Sequence, residues 1–566
     1  MRVTLLSVLA AAGHVTAFAQ DEGLAGNLVY RSPYQNIPEL GHEIQSIARR
    51  LTKRSNGVSG DYVKDITFTH NVASGDPDHE SVILWTRATP KEGTYSKSHS
   101  VCVTYSVATD DKFKKIVKDG HAVTTADVDF TVKVEAKGLK PFTTYYYKFA
   151  NCKASKQESS VGRTKTVPAP NSKVPADLKF AVFSCSNFPF GYFNAYGIPA
   201  RQQKMDYVLH LGDYIYEYAG DGDYGNVTAT GRYQQPEKII ATLEDYRLRY
   251  GTYRSDPDLA YAHAQYPWYV IWDDHEVADN TWKDGSAHQN DTELGVWFEK
   301  RKGGAVQAYF EWMPIRQVDK KDPLRIFRSF NLGNRADLIL LDTRQYDRDI
   351  TDMYYNTAAI KAIAKDPTRS LMGPIQEKWL MDELKKSAKQ KTKWRIIGQQ
   401  LEFNRLDYSA AQPGRDGVYD QLAKLKLGNN IVLAGDVHSI WAWDLVDDRN
   451  FAGYDAKSGE GSWGAEFVGT AVTSPSPYAS VNATSRAFGE KLLVGSNPAL
   501  KWTEVTWRGY YLLNVGEKSV KADYWGVKNI TYRNDQETWL ASFSIDDGAN
   551  HLKRPFNVST GAAEQL

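Results

Sequence analysis

The sequence predicts two packed parts, an N-terminal β-sandwich of immunoglobulin or fibronectin type followed by a larger α/β domain. Three observations carry this. The length of 566 residues exceeds one ordinary domain. From about Lys64 to Thr166, short runs rich in Val, Thr, Tyr and Phe are separated by turn residues. Beyond that stretch, short apolar runs alternate with longer helical patterns, the sign of an α/β sheet.

Residues 1–19 read as a signal peptide: Met1-Arg2 is the positive start, Val3 to Ala12 the apolar run and Ala17-Phe18-Ala19 the cleavage site. The run is too short to span a bilayer, and no other stretch is long and apolar enough to do so. The mature protein is therefore expected to be exported, either free or held at a cell wall or in a vacuole. Five sequons, at Asn226, Asn290, Asn482, Asn529 and Asn557, agree with export as glycosylation candidates, although sequons also arise by chance. Residues 20–63 form an N-terminal segment in which Pro38 to Arg54 reads as a short amphipathic helix. Its Lys53-Arg54 end is either a charged helix terminus or a dibasic site that releases a propeptide.

The β part, 64–166, is carried by runs such as Phe68-Thr-His-Asn-Val72, Ser81-Val-Ile-Leu-Trp-Thr86, Lys133 to Leu139 and Tyr145-Tyr-Tyr-Lys-Phe149. Cys102 and Cys152 lie in or beside such runs, so these two are expected to form a disulfide in an oxidising compartment. With only three cysteines in the chain, Cys185 is left over, and an odd thiol in an exported protein needs a reason. Residues 167–176, with three prolines, read as a linker. In the α/β part, 177–545, helices are expected over Leu243 to Tyr250, Gly295 to Glu311 and Pro374 to Ala388. The tail, 546–566, is polar and is expected to be free to disorder. The net charge of +1 points to neither nucleic acid nor an anionic membrane as partner, and a monomer is assumed.

Four strand-then-turn units in the α/β part end in metal-ligand residue types. Lys179 to Ser184 runs into Cys185-Ser-Asn187, and Tyr207 to Leu211 runs through Gly212 into Asp213 and Tyr216. Tyr269 to Trp272 runs into Asp273-Asp274-His275-Glu276, with Asn280 following, and Ile431 to Gly435 into Asp436-Val-His438. Ligands of an α/β sheet bind outside the carboxyl ends of its strands, so these groups are expected to lie along one sheet edge and converge. Each alone has a bland reading, a polar turn, a helix cap or a satisfied core histidine. Four in the same position on their strands argue for a site, and carboxylate with phenol suits hard cations.

These stretches also resemble a family. Gly212-Asp-Tyr-Ile-Tyr216 is similar to the Gly-Asp-x-x-Tyr element of metallophosphoesterases, as in purple acid phosphatases. The set as a whole resembles the PhoD-like alkaline phosphatases. It comprises Ser184-Cys-Ser-Asn187 with Gly191-Tyr-Phe-Asn194, Leu209 to Glu217, Trp272 to Val277, Leu341-Asp-Thr-Arg-Gln-Tyr346, Ile397-Gly-Gln-Gln400 and Ala434 to Ser439. Val72-Ala-Ser-Gly-Asp-Pro77 and Leu84-Trp-Thr-Arg87 extend the likeness into the β part, so that it covers about Phe68 to Tyr524. The resemblance implies a metallophosphoesterase α/β sandwich that holds one ferric ion and calcium. By position, Cys185, Asp213, Tyr216 and His438 resemble the iron ligands. Asp213 would bridge to a calcium site completed by Asp436 and by Asp274 or Asn280.

The reaction implied is in-line attack of a metal-bridging hydroxide on a phosphate mono- or diester. His275 would stabilise the phosphate or assist the leaving group. Arg344 would hold phosphate oxygens or, equally, make a structural salt bridge. Substrates from small esters to polymers and phospholipids, the last by a phospholipase D-like phosphodiesterase, remain within the family's range. A catalytically dead secreted binding protein would lack a ligand, and a candidate stands at every strand end. A serine hydrolase would need a nucleophile elbow, which no strand end here offers. Trp441-Ala-Trp443 and Gly220 to Gly225 are read either as cleft walls or as core and surface loop.

Overall fold

The computed structural model describes residues 26–28, 62–91, 99–221, 224–287, 294–319, 321–353, 355–364, 366–405 and 416–564. The signal peptide, the Pro38 to Arg54 helix with its dibasic end, and Asn290 lie outside them. Among the described residues no helix is long and apolar enough to cross a membrane.

Two large sheets pack face to face. One has ten strands and is built around the Leu178–Phe183, Tyr207–His210 and Pro267–Val270 strands, which run parallel. The other has eight, with the Ala336–Leu340, Trp394–Gly398, Asn430–Ala434 and Gly464–Val468 strands parallel in sequence. Their strands are apolar on both faces, as sheets covered on both sides require. Phe180, Val182, Leu209 and Leu211 of the first sheet share a buried cluster with Leu338, Leu340, Ile396 and Leu433 of the second. Helices cover the outer faces. Leu243–Arg254, Pro257–Gln265 and Phe298–Trp312 pack on the first sheet, and Gly373–Gln390 and Asp416–Leu425 on the second. The helix expected at Leu243 starts there because Thr242 caps it, its side chain and that of Asp245 each accepting the other's backbone N–H.

The N-terminal part is mostly strands, followed by the mixed α/β part. One of its sheets pairs Gly162–Lys165, Thr144–Asn151, Val101–Ala108 and Ile116–Thr124, and the disulfide between Cys102 and Cys152 is present. Its other layer, Val72–Gly75, Ser81–Arg87 and Thr131–Lys137, packs on that sheet through one buried core, as the expected sandwich requires. Val72–Gly75 also pairs parallel with Pro267–Val270, so this layer extends the ten-stranded sheet. Gly75 permits that joint, since a Cβ there would stand 2.7 Å from the Trp268 carbonyl oxygen. Asp76 locks it: its carboxylate, fully buried, takes the Arg328 guanidinium at 2.7 Å and the Arg316 N–H at 2.9 Å. The stretch 167–176 has no regular structure but is anchored by buried Val167 and Val174.

Two expectations are corrected. The tail is ordered as far as it is described. Asn557–Val558 and Ala562–Ala563 add strands to the two sheets, Leu552 is fully buried, and Phe556 packs on Phe543. A polar composition hid a few apolar anchors. The four ligand-bearing strand ends also do not lie along one sheet edge. Three belong to the ten-stranded sheet, and the Asn430–Ala434 strand belongs to the eight-stranded one. The groups converge because the two sheets are stacked with their carboxyl ends on the same side. Trp441 and Trp443 resolve to core, both buried on the Ile440–Asp444 strand of the second sheet.

Candidate metal centre

Three of the four strand ends pass into their turns through a left-handed residue, and Asn280, beyond the Asp273–Glu276 turn, is a further one. Cys185 (φ 61°), Asp213 (φ 54°), Asp436 (φ 57°), His438 (φ 55°) and Asn280 (φ 50°) all have positive φ. Such a conformation is uncommon for residues other than glycine and clusters at functional sites. Before Asp213, only glycine fits, because a Cβ on Gly212 (φ 108°) would stand 2.5 Å from the Asp273 backbone nitrogen. The turns are laced together. Cys185 N–H donates to the Gly212 carbonyl at 3.1 Å and Ser186 N–H to that of Asp213 at 2.9 Å. The Glu276 carboxylate accepts backbone N–H groups of Asp213, Tyr214 and Asp273 at 3.2, 2.6 and 2.7 Å. On the helix side, Arg249 donates to the Tyr216 and Tyr218 carbonyls, and Tyr216 N–H donates to Tyr253 Oη at 3.2 Å.

The structure brings the predicted residues together in two adjoining sets. Ligand atoms of Cys185, Asp213 and His438 lie within 4.8 Å of one another, and so do those of Asp213, Asp274 and His275, and of Asp273, Asp274 and Asp436. Asp213 therefore stands in both halves. Tyr216 Oη joins the first half, 2.9 Å from Asp213 Oδ2 and 3.1 Å from His438 Nε2. His438 Nδ1 lies 2.9 Å from the Pro475 carbonyl, which only accepts, so Nδ1 carries the proton and Nε2 presents its lone pair to Tyr216 and Asp213. Burial, then Arg508, hold this imidazole neutral, with its pKa lowered to about 3.

In the second half, Arg344 is buried among carboxylates. It is ion-paired to Asp273 and Asp436 and lies 3.7 Å from Asp274. Asn280 is beside it. Its N–H donates to Asp274 Oδ2 at 2.6 Å, and its Oδ1 is 3.5 Å from Arg344 Nη1. Burial would raise the Asp274 pKa, but Arg344 and then His275 hold it well below the usual carboxylate range. Asp273 is pushed up, by burial first and then by Asp274 and Asp213, which together outweigh Arg344.

The donor set suits cations. Among the described residues Asp213 Oδ1, Asp273 Oδ2 and Asp274 Oδ1 are buried with no hydrogen-bond partner. Burial, with Asp213 beside them, pushes the Cys185 thiol and the Tyr216 phenol well up. Thiolate and phenolate form here only against a positive ion, and burial followed by Asp274 raises Asp213 in the same way.

Several residues around the centre were given no individual role by the sequence. Glu217, fully buried, pairs with His275 Nδ1 at 2.8 Å and accepts the Asp279 N–H at 2.7 Å. Ser474 Oγ donates to Tyr216 Oη at 2.7 Å, and the Arg508 guanidinium donates to the Ser474 carbonyl at 2.8 Å. Tyr224, from the glycine-rich run, puts its hydroxyl 3.2 Å from His438 Nδ1 and its ring over His275, so that run borders the centre. Only Glu217 was within reach of the sequence, as the carboxylate directly after Tyr216. Gln400 is structural, donating to the Trp272 and Leu341 carbonyls. Of the sequons, Asn482 and Asn557 are exposed, whereas Asn226 and Asn529 are half-buried.

Residues 180–524 match the family model of the PhoD-like phosphatase, and residues 54–168 that of the PhoD-like phosphatase N-terminal domain. The chain belongs to the PhoD-like phosphatase family. It is 38% identical over 504 residues to alkaline phosphatase D of Bacillus subtilis (strain 168), an alignment that covers 86% of this chain and 82% of that protein. A solved structure of PhoD superimposes with a TM-score of 0.73 at 33% identity, covering 90% of this chain and 94% of the other. The purple acid phosphatase PPD1 from yellow lupin (Lupinus luteus) seeds shares the fold, with a TM-score of 0.50 at 13% identity over 85% of this chain and 74% of that one. The chain is thus a phosphoric ester hydrolase, and the stacked sheets are those of the family.

Proposed function

We propose that this PhoD-like phosphatase is an exported enzyme that hydrolyses phosphate monoesters and diesters at a centre of two unlike metals. The observation that carries the reading is Asp213, which stands in both halves of the ligand cluster. Cys185, Asp213, Tyr216 and His438 would hold iron, since thiolate and phenolate favour a trivalent ion. Asp213, Asp436 and Asp274 would hold calcium, with Asn280 as the alternative to Asp274, because an all-oxygen set suits a hard ion. When bound, such a pair lowers the pKa of water and sets positive charge against a phosphoryl group.

The chain's own residues supply the rest. Glu217 fixes the Nδ1 proton of His275, and the imidazolium is positioned to neutralise the phosphate and protonate the departing oxygen. Burial lowers the His275 pKa, but Glu217, Asp274 and Asp213 together raise it well above 6.5, so this proton is held at neutral pH. Arg344 holds Asp273 and Asp436 in place and presents a second cation beside them. Tyr218 and Tyr224 flank His275 at ring distances of 5.4 and 6.1 Å and give the centre an aromatic side.

Asp213→Asn tests the bridging role. It should lower turnover of p-nitrophenyl phosphate and of its bis ester by about 10³-fold or more, while the circular dichroism and melting temperature stay those of a folded protein. Full activity in the variant would refute the assignment. A phospholipid included in the same panel decides how large a substrate is accepted.

A further inference from the structure

The loops that carry Asn280 and Arg344 come from different sheets. The Asn280 loop follows the Pro267–Val270 strand of the ten-stranded sheet, and the Arg344 loop follows the Ala336–Leu340 strand of the eight-stranded one. In the first, the Trp282 N–H donates to the Gly285 carbonyl at 2.9 Å. In the second, Asp342 Oδ1 accepts the Arg344 and Gln345 N–H groups at 2.9 and 2.8 Å. The loops meet where the Lys283 N–H donates to the Arg348 carbonyl at 3.0 Å and the Lys283 ammonium lies 2.9 Å from Asp349.

Lys302 reaches both loops from the Phe298–Trp312 helix, and its side chain is buried, with 2% of the residue exposed. Its Nζ donates to the Gln345 carbonyl at 2.6 Å and to the Lys283 carbonyl at 3.0 Å. One ammonium thus fastens the residue directly after Arg344 and a residue shortly beyond Asn280. Burial lowers its pKa to about 8 against the raising charges of Asp342, Asp284 and Asp347, so the proton stays on at neutral pH.

Burying a cation is costly, and an apolar chain of similar length would fill the space without that cost. What the ammonium adds is a pair of donors directed at two separate loops. The spacing between those loops matters at Arg344, which pairs with Asp273 below one sheet and Asp436 below the other, with Asn280 Oδ1 3.5 Å from its Nη1. We infer that Lys302 is a positioning residue for ester hydrolysis, pinning the two loops at the spacing that keeps the Arg344 guanidinium between Asp273 and Asp436. It acts through Arg344, so the inference rests on the role given to Arg344 above.

The test compares the whole protein with its Lys302→Met, Lys302→Gln and Lys302→Arg forms, and with Arg344→Ala alone and combined with Lys302→Met. kcat and KM for p-nitrophenyl phosphate are measured at neutral pH, well below each melting temperature. Lys302→Met should lower kcat/KM by about tenfold or more, as loss of precise positioning does. Lys302→Gln, which keeps a neutral donor, should lose less, and Lys302→Arg should recover most of the activity by donating to both carbonyls. The double variant should be no slower than Arg344→Ala, since the two residues act as a unit. In the metal-stripped proteins, amide exchange should quicken in both loops of Lys302→Met and return towards the wild type in Lys302→Arg. A wild-type kcat/KM in Lys302→Met, beside a lowered one in Arg344→Ala, overturns the inference alone. So do losses that multiply in the double variant, or exchange that is unchanged in either loop. An unchanged Arg344→Ala overturns the role of Arg344 and the inference with it. Should Lys302→Met fail to fold, Lys302→Gln carries the same comparisons.

Discussion

Glu217 fixes the behaviour of His275 and makes it testable by pH. Burial lowers the His275 pKa, and the Glu217 carboxylate is the largest of the charges that raise it well above 6.5. An acid with a raised pKa is competent below that value and is lost as the pH rises through it. Glu217→Gln removes the largest raising charge, so the alkaline limb of the kcat/KM profile should move to lower pH. An alkaline limb that stays in place would contradict the role given to His275. Cys185→Ser makes a second check. The thiol sits where burial and Asp213 oppose its ionisation, so it needs a cation beside it. The serine variant should lose iron and its visible absorption, read from metal content and the spectrum, and retained iron would remove the thiolate from the ligand set. Cys185, Asp213, Asp436 and His438 were legible in the sequence because each ends an apolar run. Ser474 and Tyr224 were not, since they meet Tyr216 and His438 across separations of 258 and 214 residues that no local pattern records.

The joint between the two parts rests on single elements. The Val72–Gly75 strand reads locally as part of a sandwich, and its pairing with Pro267–Val270 is set by contacts nearly two hundred residues away. Asp76, at the end of that strand, meets Arg328 with both side chains buried. Breaking such a pair strands a buried charge and costs about 3–5 kcal/mol. Asp76→Ala should therefore lower the free energy of unfolding measured in urea by an amount in that range, with the midpoint falling accordingly, without changing the metal ligands. A midpoint like that of the wild type would show the joint to be dispensable. The helix positions that were expected were read well, since the apolar period is a local signal. The strand-end pattern was read correctly too, but it cannot tell which of two sheets a strand joins. That is why a single sheet edge was expected in place of two stacked sheets.

At the scale of the molecule, two sheets with helices outside bring four strand ends to one place, and the N-terminal strands and the C-terminal tail complete the edges. The tail was misread because a few apolar anchors, buried Leu552 and half-buried Phe556 among them, order a largely polar stretch. The proposed centre needs two unlike metals that share Asp213. Diffraction from the purified protein at the iron absorption edge tests this most directly. The predicted result is one anomalous peak bounded by Cys185, Asp213, Tyr216 and His438, absent from data collected below the edge. No iron peak, or a peak bounded instead by Asp273, Asp274 and Asp436, would contradict it.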